Sequence, residues 1–321
     1  MKSIKSFCRG LFAKRKAQGA KSRAQSAKRH ALCASPLAAG GKRLEINRYG
    51  PLPGDAPTLV FLHHGLGCAA MWRDYPGKLA AAVGCGALVY SRLGYGRSDP
   101  CSLPRSVRFM HEEGLEVLPE LLEVAGIRQC ILIGHSDGAS IAVIYAGGTA
   151  AKSLLGIITE APHVFFEKQT RLGIQNAKKA FESGDLRKKL EKYHGSNTDC
   201  AFWGWNDTWL HPDFVTWDIQ EYLPGIKVPM LVIQGEDDEY GTSAQVKAIE
   251  RCAGAGVETV ILPGCGHAPH LEQEAATFKA MKDFILRILN SQSIDASGGQ
   301  EPFREKVPGL PKASDNANKN F

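Results

Sequence analysis

Ile133-Gly134-His135-Ser136-Asp137-Gly138-Ala139 joins an apolar run, Gln129 to Ile133, to an apolar helical pattern, Ala139 to Ala146. Glycines two positions either side of a serine let a strand and a helix approach closely, leaving the serine at the tip of a tight turn. A nucleophilic serine needs that placement. A bare G-x-S-x-G arises by chance in unrelated chains, but here the flanking strand and helix patterns are both present. Asp137 is not the elbow nucleophile, because His135 and Ala139 stand two positions from it where glycines would be required. This removes the carboxylate-nucleophile chemistries.

Working outward, short β-branched runs alternate with helical patterns: Thr58 to His63, Ala87 to Ser91, Gln129 to Ile133, Leu154 to Thr159, Met230 to Ile233 and Thr259 to Leu262. Apolar runs of this length bounded by Gly or Pro suit strands buried on both faces of a parallel sheet. Helical patterns between them, such as His111 to Val124 and Glu272 to Leu289, predict a doubly wound α/β sheet. Ligands bind such sheets at the carboxyl ends of the strands.

A serine nucleophile needs a base, and the base an orienting acid, and in a sheet architecture of this kind the chain order is Ser, acid, His. Both occur at later strand ends. Leu231-Val232-Ile233-Gln234-Gly235-Glu236-Asp237-Asp238 ends one strand in acidic residues, and Leu262-Pro263-Gly264-Cys265-Gly266-His267 ends the next in Gly-His. On an early strand, Val60-Phe61-Leu62-His63-His64-Gly65-Leu66-Gly67 runs into a glycine-containing loop. Its Leu66 N–H, with the N–H of Asp137, can supply two donors to the oxyanion of a tetrahedral intermediate. His63 and His64 are expected to support that loop and not to catalyse.

These residues resemble the α/β-hydrolase fold superfamily, specifically its capped serine hydrolases of carboxylesterase type. The resemblance covers roughly residues 43–290 and rests on five motifs in order. They are His64-Gly65-Leu66-Gly67, Ser91-Arg92-Leu93-Gly94-Tyr95-Gly96-Arg97-Ser98, Gly134-His135-Ser136-Asp137-Gly138, Gly235-Glu236-Asp237-Asp238 and Gly266-His267. It implies catalysis by Ser136, His267 and an acid three residues after the strand-ending glycine, which selects Asp238 over Asp237. Two positions depart from the family pattern. Leu93 fills a slot often held by Pro or Arg, and Asp137 replaces the Met or Gln common after the serine. A carboxylate there would attract an ammonium group, or would simply bond a neighbour such as His64, His163 or Arg73.

From about 163 to 225 the strand pattern pauses, and eleven of the chain's 26 aromatics fall in that fifth of its length. The resemblance reads this stretch as a helical cap inserted after the sixth strand, covering the site and setting substrate choice. Phe202, Trp203, Trp205 and Trp209 are the expected pocket wall, with His163 either orienting substrate or capping the first helix of the insert.

The formal charge of +6 invites thoughts of nucleic acid, but ten Lys or Arg and no acidic residue lie in residues 1–30. The remainder holds 29 basic and 33 acidic residues, a formal −4. A near-neutral body without a nucleic-acid module argues against that class of partner. The expected organisation is a basic flexible arm at 1–40, a core at 41–162 and 226–290, a cap at 163–225 and a disordered tail at 291–321. In the arm, Ile4, Phe7, Cys8, Leu11 and Phe12 fall at helical spacing with basic residues around them. Such a helix can make peripheral contact with anionic lipid or serve as an organelle address. Nine unclustered cysteines read as reduced thiols in a cytoplasmic setting.

The expected activity is hydrolysis of a small carboxylic ester or amide through an acyl-enzyme, with neither a metal nor an organic cofactor required. The sequence does not bear on oligomeric state. Cleavage of a C–C bond in a vinylogous diketone is the rival reaction. Its specialised members hold Asn before the serine and a nearby Arg, so His135 argues against it. A non-catalytic ligand-binding homologue is the rival class, and it usually lacks a triad member, which this chain does not.

Overall fold

The computed structural model describes residues 37–39 and 41–296. Nine strands lie among them: β1 Leu37–Ala39, β2 Lys42–Leu44, β3 Ile46–Tyr49, β4 Thr58–Leu62, β5 Gly86–Tyr90, β6 Cys130–His135, β7 Leu154–Glu160, β8 Met230–Gly235 and β9 Val257–Leu262. The first two pair only with each other, and the other seven form one sheet in the order β3-β5-β4-β6-β7-β8-β9. Edge strand β3 runs antiparallel to β5, and every other pairing in the sheet is parallel.

Every residue of β4 to β8 is buried, as near-continuous apolar runs require. The two-residue period sorts their side chains into two layers. Leu59, Phe61, Ile131 and Ile133 meet Tyr75, Leu79 and Val83 of α1 (Tyr75–Val83), and Met281, Phe284 and Ile285 of the last helix. Val60, Leu62 and Leu132 face the opposite layer, which holds Leu118, Leu121, Ile141 and Ile144. Each such side chain contributes about 1.5–3 kcal/mol by leaving water. β9, at the far edge, is half-buried or exposed along its length until Leu262, which is buried.

Phe109–Glu112 (α2) passes through a π-helical turn, Glu113–Val117, into α3, Leu118–Val124. The helix after β6, α4 (Asp137–Gly148), is buried from Asp137 through Ala146 and so has no polar face. A side chain at Gly134 would stand 2.3 Å from the Gly138 carbonyl oxygen, and one at Gly138 would stand 2.1 Å from that of Leu62. The spacing of the two glycines is thus a packing requirement between β6, α4 and β4.

After β7 the chain leaves the sheet for α5 (Lys168–Ser183), α6 (Leu186–His194), α7 (Thr198–Leu210) and three 3₁₀ turns, Gly195–Asn197, Pro212–Thr216 and Gln220–Gly225, before returning at β8. The exit strand is the fifth of the seven-stranded sheet in chain order, not the sixth, because β1 and β2 stay outside that sheet. On α5, Thr170, Gly173, Ile174, Ala177 and Phe181 form the buried stripe at helical spacing. The chain closes with α8 (Ser243–Cys252), α9 (Pro269–Glu272) and α10 (Glu274–Ala296).

Two expected boundaries shift. Leu37–Ala39 pairs with Lys42–Leu44 and buries Ala39, so the fold begins before residue 41. At the other end α10 continues through Ser291 and Gln292 to Ala296, because neither residue is a helix breaker as Gly298-Gly299 would be. The basic segment 1–36, with its lipid or targeting role, and residues 297–321 lie outside the described residues. Among the described residues no helix is long and apolar enough to cross a membrane.

Candidate active site

Ser136 sits between β6 and α4 at φ 55° and ψ −119°, a conformation that costs a residue with a side chain about 1–3 kcal/mol. Its N–H donates to the Glu160 carbonyl at 2.9 Å, anchoring the turn to β7. The glycine packing that fixes β6 against α4 holds this strained turn in place.

The loops after β8 and β9 bring two further side chains to it. His267 Nε2 lies 2.9 Å from Ser136 Oγ, and His267 Nδ1 lies 2.9 Å from both carboxylate oxygens of Asp238. All three residues are buried. Asp237 is exposed and bonds through its N–H to the Cys265 carbonyl, away from the imidazole. Asp238 Oδ1 also accepts from the N–H groups of Tyr240 (2.8 Å) and Gly241 (3.2 Å), and Oδ2 accepts from Gln234 Nε2 at 2.7 Å. Burial works against its charge, yet His267, the Tyr240 N–H and His163 outweigh it and hold the carboxyl below its ordinary range. Burial likewise works against protonated His267, but Asp238, Glu239 and Asp137 together raise the imidazole above its ordinary value.

The loop after β4 is braced from several sides. Buried Arg92 donates through Nη1 to the His63 carbonyl and through Nη2 to that of His64 (3.1 Å). His63 Nδ1 donates to the His64 carbonyl at 2.8 Å, while its Nε2 accepts from Arg92 N–H at 3.1 Å. The Leu66 N–H makes a long 3.3 Å bond to His64 Nδ1, and the Leu66 carbonyl accepts from His194 Nε2 of α6 at 3.1 Å. Asp137 N–H belongs to the first turn of α4, where no intrahelical carbonyl reaches it.

Ser136, His267, Leu66, Asp137, His163, Trp205 and Trp209 line one narrow cleft with a free volume of about 20 Å³. Trp205 packs against Gly65 of the braced loop. His163 lies edge-on to Trp209 (5.4 Å between ring centres) and 5.7 Å from the His267 ring. Burial, then the charge of His267, pushes its imidazole down to about 3, so it is neutral there. Two residues expected in the wall are elsewhere. Phe202 is buried within the insert, stacked on Phe181 at 3.7 Å, and half-buried Trp203 packs on both rings while Lys178 lies over its face. Helix geometry sends positions 205 and 209 to one side of α7 and 203 to another.

Asp137 bonds neither His64, His163 nor Arg73. Its Oδ1 accepts from Trp209 Nε1 at 3.2 Å, and its Oδ2, although buried, has no hydrogen-bond partner. Burial raises its pKa, partly opposed by Arg92, Trp209 and Arg105.

Sequence reasoning missed several members. Thr170, Ile174 and Tyr240 also line the cleft, and Gln234 steadies Asp238. His270 donates from its N–H, and sits with Nδ1, at 2.9 Å from Glu160 Oε2, while His135 Nε2 donates to the His267 carbonyl at 2.6 Å. A glutamine closing an otherwise apolar strand, and a glutamate closing β7, were the available signals. Among the described residues no group of three or more His, Cys, Asp or Glu side chains is arranged to hold a metal ion.

A model of the alpha/beta hydrolase family matches residues 59–280, which hold the whole of this constellation. The chain belongs to that family. Hydrolysis is therefore the reaction class of this α/β hydrolase. It is 26% identical to a proline iminopeptidase of Saccharolobus solfataricus, over 78% of this chain and 92% of the relative. It is similar in structure to an esterase from Exiguobacterium antarcticum (TM-score 0.64, 15% identity, 79% of this chain and 99% of that one). An enol-lactonase from Burkholderia xenovorans LB400 is similar too (TM-score 0.60, 19% identity, 78% and 99%). At these identities the structural likenesses speak for the fold.

Proposed function

We propose that this hydrolase cleaves small carboxylic esters or amides through an acyl-enzyme formed on Ser136. One observation carries the reading: the unbroken hydrogen-bonded line from Ser136 Oγ through His267 to Asp238, with 2.9 Å at each step. Ser136 Oγ attacks the substrate carbonyl carbon as its proton passes to His267 Nε2. Asp238 keeps Nδ1 protonated and stabilises the imidazolium. The oxyanion takes the N–H groups of Leu66 and Asp137, the former leaving its long bond to His64 for a charged acceptor. The proton then goes to the leaving alcohol or amine, and water activated by His267 releases the acid.

The cleft's free volume of about 20 Å³ is far below that of an ordinary ligand site, which favours a small acyl group. The partnerless Oδ2 of Asp137 on its wall favours an amine near the scissile carbonyl, and the name of the proline iminopeptidase relative fits that preference. The helices of 168–225 serve as the cap, since α6 braces the oxyanion loop and α7 supplies Trp205 and Trp209. The C–C reading is disfavoured because Arg92 is engaged by loop carbonyls and does not line the cleft. The free thiols of all seven described cysteines fit a cytoplasmic setting.

Short nitrophenyl esters test the proposal directly. A burst of nitrophenol and fluorophosphonate labelling of Ser136 are expected, with both lost in Ser136→Ala. Neither burst nor label in the folded wild type would overturn it.

A further inference from the structure

The sheet and the insert meet at a second chemically distinctive place. Cys101, in the loop between β5 and α2, and Cys200, on α7, bring their Sγ atoms to 2.9 Å. That is far inside ordinary contact between two sulfurs, and no other two cysteine sulfurs among the described residues touch. Arg105 Nη2 donates to Cys101 Sγ at 2.9 Å and to the Leu93 carbonyl at 2.8 Å, while its guanidinium lies over Tyr95. Gly94 makes the room: a side chain there would stand 2.7 Å from Cys101 Sγ and 2.8 Å from Cys200 Sγ. The two thiols are partly exposed, whereas Cys68, Cys85, Cys130 and Cys265 are buried.

We propose that Cys101 and Cys200 are a redox couple, closed by a peroxide into a disulfide that ties α7 of the insert to the sheet's β5 loop. The Sγ atoms need only draw together to about 2.05 Å. The hydrogen bond from Cys200, helped by the Arg105 guanidinium and opposed by burial, brings the Cys101 thiol down to about 6. The thiol of Cys200 is pushed up, so it is the partner that keeps its proton. Cys101 is thus the thiolate that attacks. By contrast burial pushes the thiols of Cys68, Cys130 and Cys265 up to about 12 and that of Cys85 to about 11.

The chemistry balances. The Cys101 thiolate attacks one oxygen of hydrogen peroxide and becomes a sulfenic acid as the O–O bond breaks, and the other oxygen leaves as hydroxide that gains a proton to form water. Cys200 sulfur then displaces that hydroxyl as a second water, its own proton going with it. Two thiols and one peroxide give one disulfide and two waters. The bond crosses between the helix carrying Trp205 and Trp209 and the loop following the Ser91–Ser98 motif, so it restrains the cap against the sheet. A thiol reductant such as dithiothreitol reopens it.

The test uses the full chain, reduced and then treated with stoichiometric hydrogen peroxide, and needs no turnover. Non-reducing peptide mapping is expected to find one cross-linked pair, Cys101 with Cys200, lighter by two hydrogens and returned to the thiols by dithiothreitol. Amide exchange in Thr198–Leu210 is expected to slow by about threefold or more on closure. In Cys200→Ser, Cys101 should stop at the sulfenic acid and be trapped by dimedone. Cross-links through other cysteines, sulfinic acid at Cys101 in the wild type without a cross-link, or closure without slower exchange in α7 would each overturn the proposal. None of these outcomes depends on Ser136, so esterase failure would leave the result standing.

Discussion

His194 Nε2 donates to the Leu66 carbonyl at 3.1 Å while His194 Nδ1 accepts from the Gly96 N–H at 3.0 Å. One neutral imidazole on α6 therefore holds the residue whose own N–H is the proposed oxyanion donor, so the insert braces that loop as well as lining the cleft. Loss of the imidazole in His194→Ala should let Leu66 drift and lower kcat by about 10- to 100-fold, with KM changed little. His194→Gln, whose amide can still donate to Leu66, should recover part of that rate. Equal kcat in all three proteins would remove the positioning role.

The same histidine sets a pH window for stability. Burial holds its pKa down at about 4, against an ordinary 6.5. The unfolded chain therefore takes up a proton here before the folded one does. The stability this group contributes is whole above pH 6.5 and is lost progressively as pH falls from there toward 4. Denaturant midpoints of the wild type should decline across that window more steeply than those of His194→Ala.

The proposed mechanism gives activity its own acid limb, set by His267. General-base catalysis needs its neutral form, and Asp238 holds its pKa above the ordinary value despite burial. Log kcat/KM should rise with unit slope up to that pKa and then level. Asp238→Asn should shift the limb to lower pH and depress the plateau by about 10⁴-fold. A plateau loss with an unmoved limb would mean that Asp238 acts only by holding geometry.

Steric rules that act over a few residues were readable in the chain, and rules that depend on packing between distant segments were not. Gly134 and Gly138 flank Ser136 because a side chain at either would strike backbone, so the elbow is written locally. His267 was readable from its place after a strand, since a sheet delivers strand ends to one edge. Choosing Asp238 over Asp237 needed the family pattern, because two adjacent carboxylates look alike until one is buried. Gln234 showed only as a polar residue near the end of an apolar strand, and Thr170 gave no local sign of its neighbour, the Tyr240 carbonyl in the loop after β8. Aromatic density marked the insert but could not say which rings face inward. The unpaired oxygen of Asp137 is likewise a product of three-dimensional packing.

That oxygen makes a specific prediction. Asp137→Asn keeps an acceptor for Trp209 and removes the charge facing the cleft. A charge-assisted bond to a substrate ammonium is worth about 1.5–3 kcal/mol. The variant should therefore lose about 10- to 100-fold in kcat/KM on an amino ester relative to its des-amino match. Rates on the des-amino ester should change little. Identical selectivity in both proteins would confine Asp137 to anchoring Trp209.

Phe202 separates cap stability from substrate contact. It is fully buried and stacked face to face on Phe181, 3.7 Å away with an interplanar angle of 5°, and it does not line the cleft. Phe202→Ala removes a ring from a packed interior and should cost about 3–5 kcal/mol, a loss large enough to lower the urea midpoint markedly. Measured at low temperature, where the variant stays folded, KM for a short ester should remain close to the wild type. Trp205→Ala should do the reverse, because its indole borders both Gly65 and the cleft: KM and kcat should shift with a smaller change in midpoint. If instead Phe202→Ala moved KM more than stability, the ring would belong to the substrate wall, and the packing of α5 on α7 would have to be redrawn.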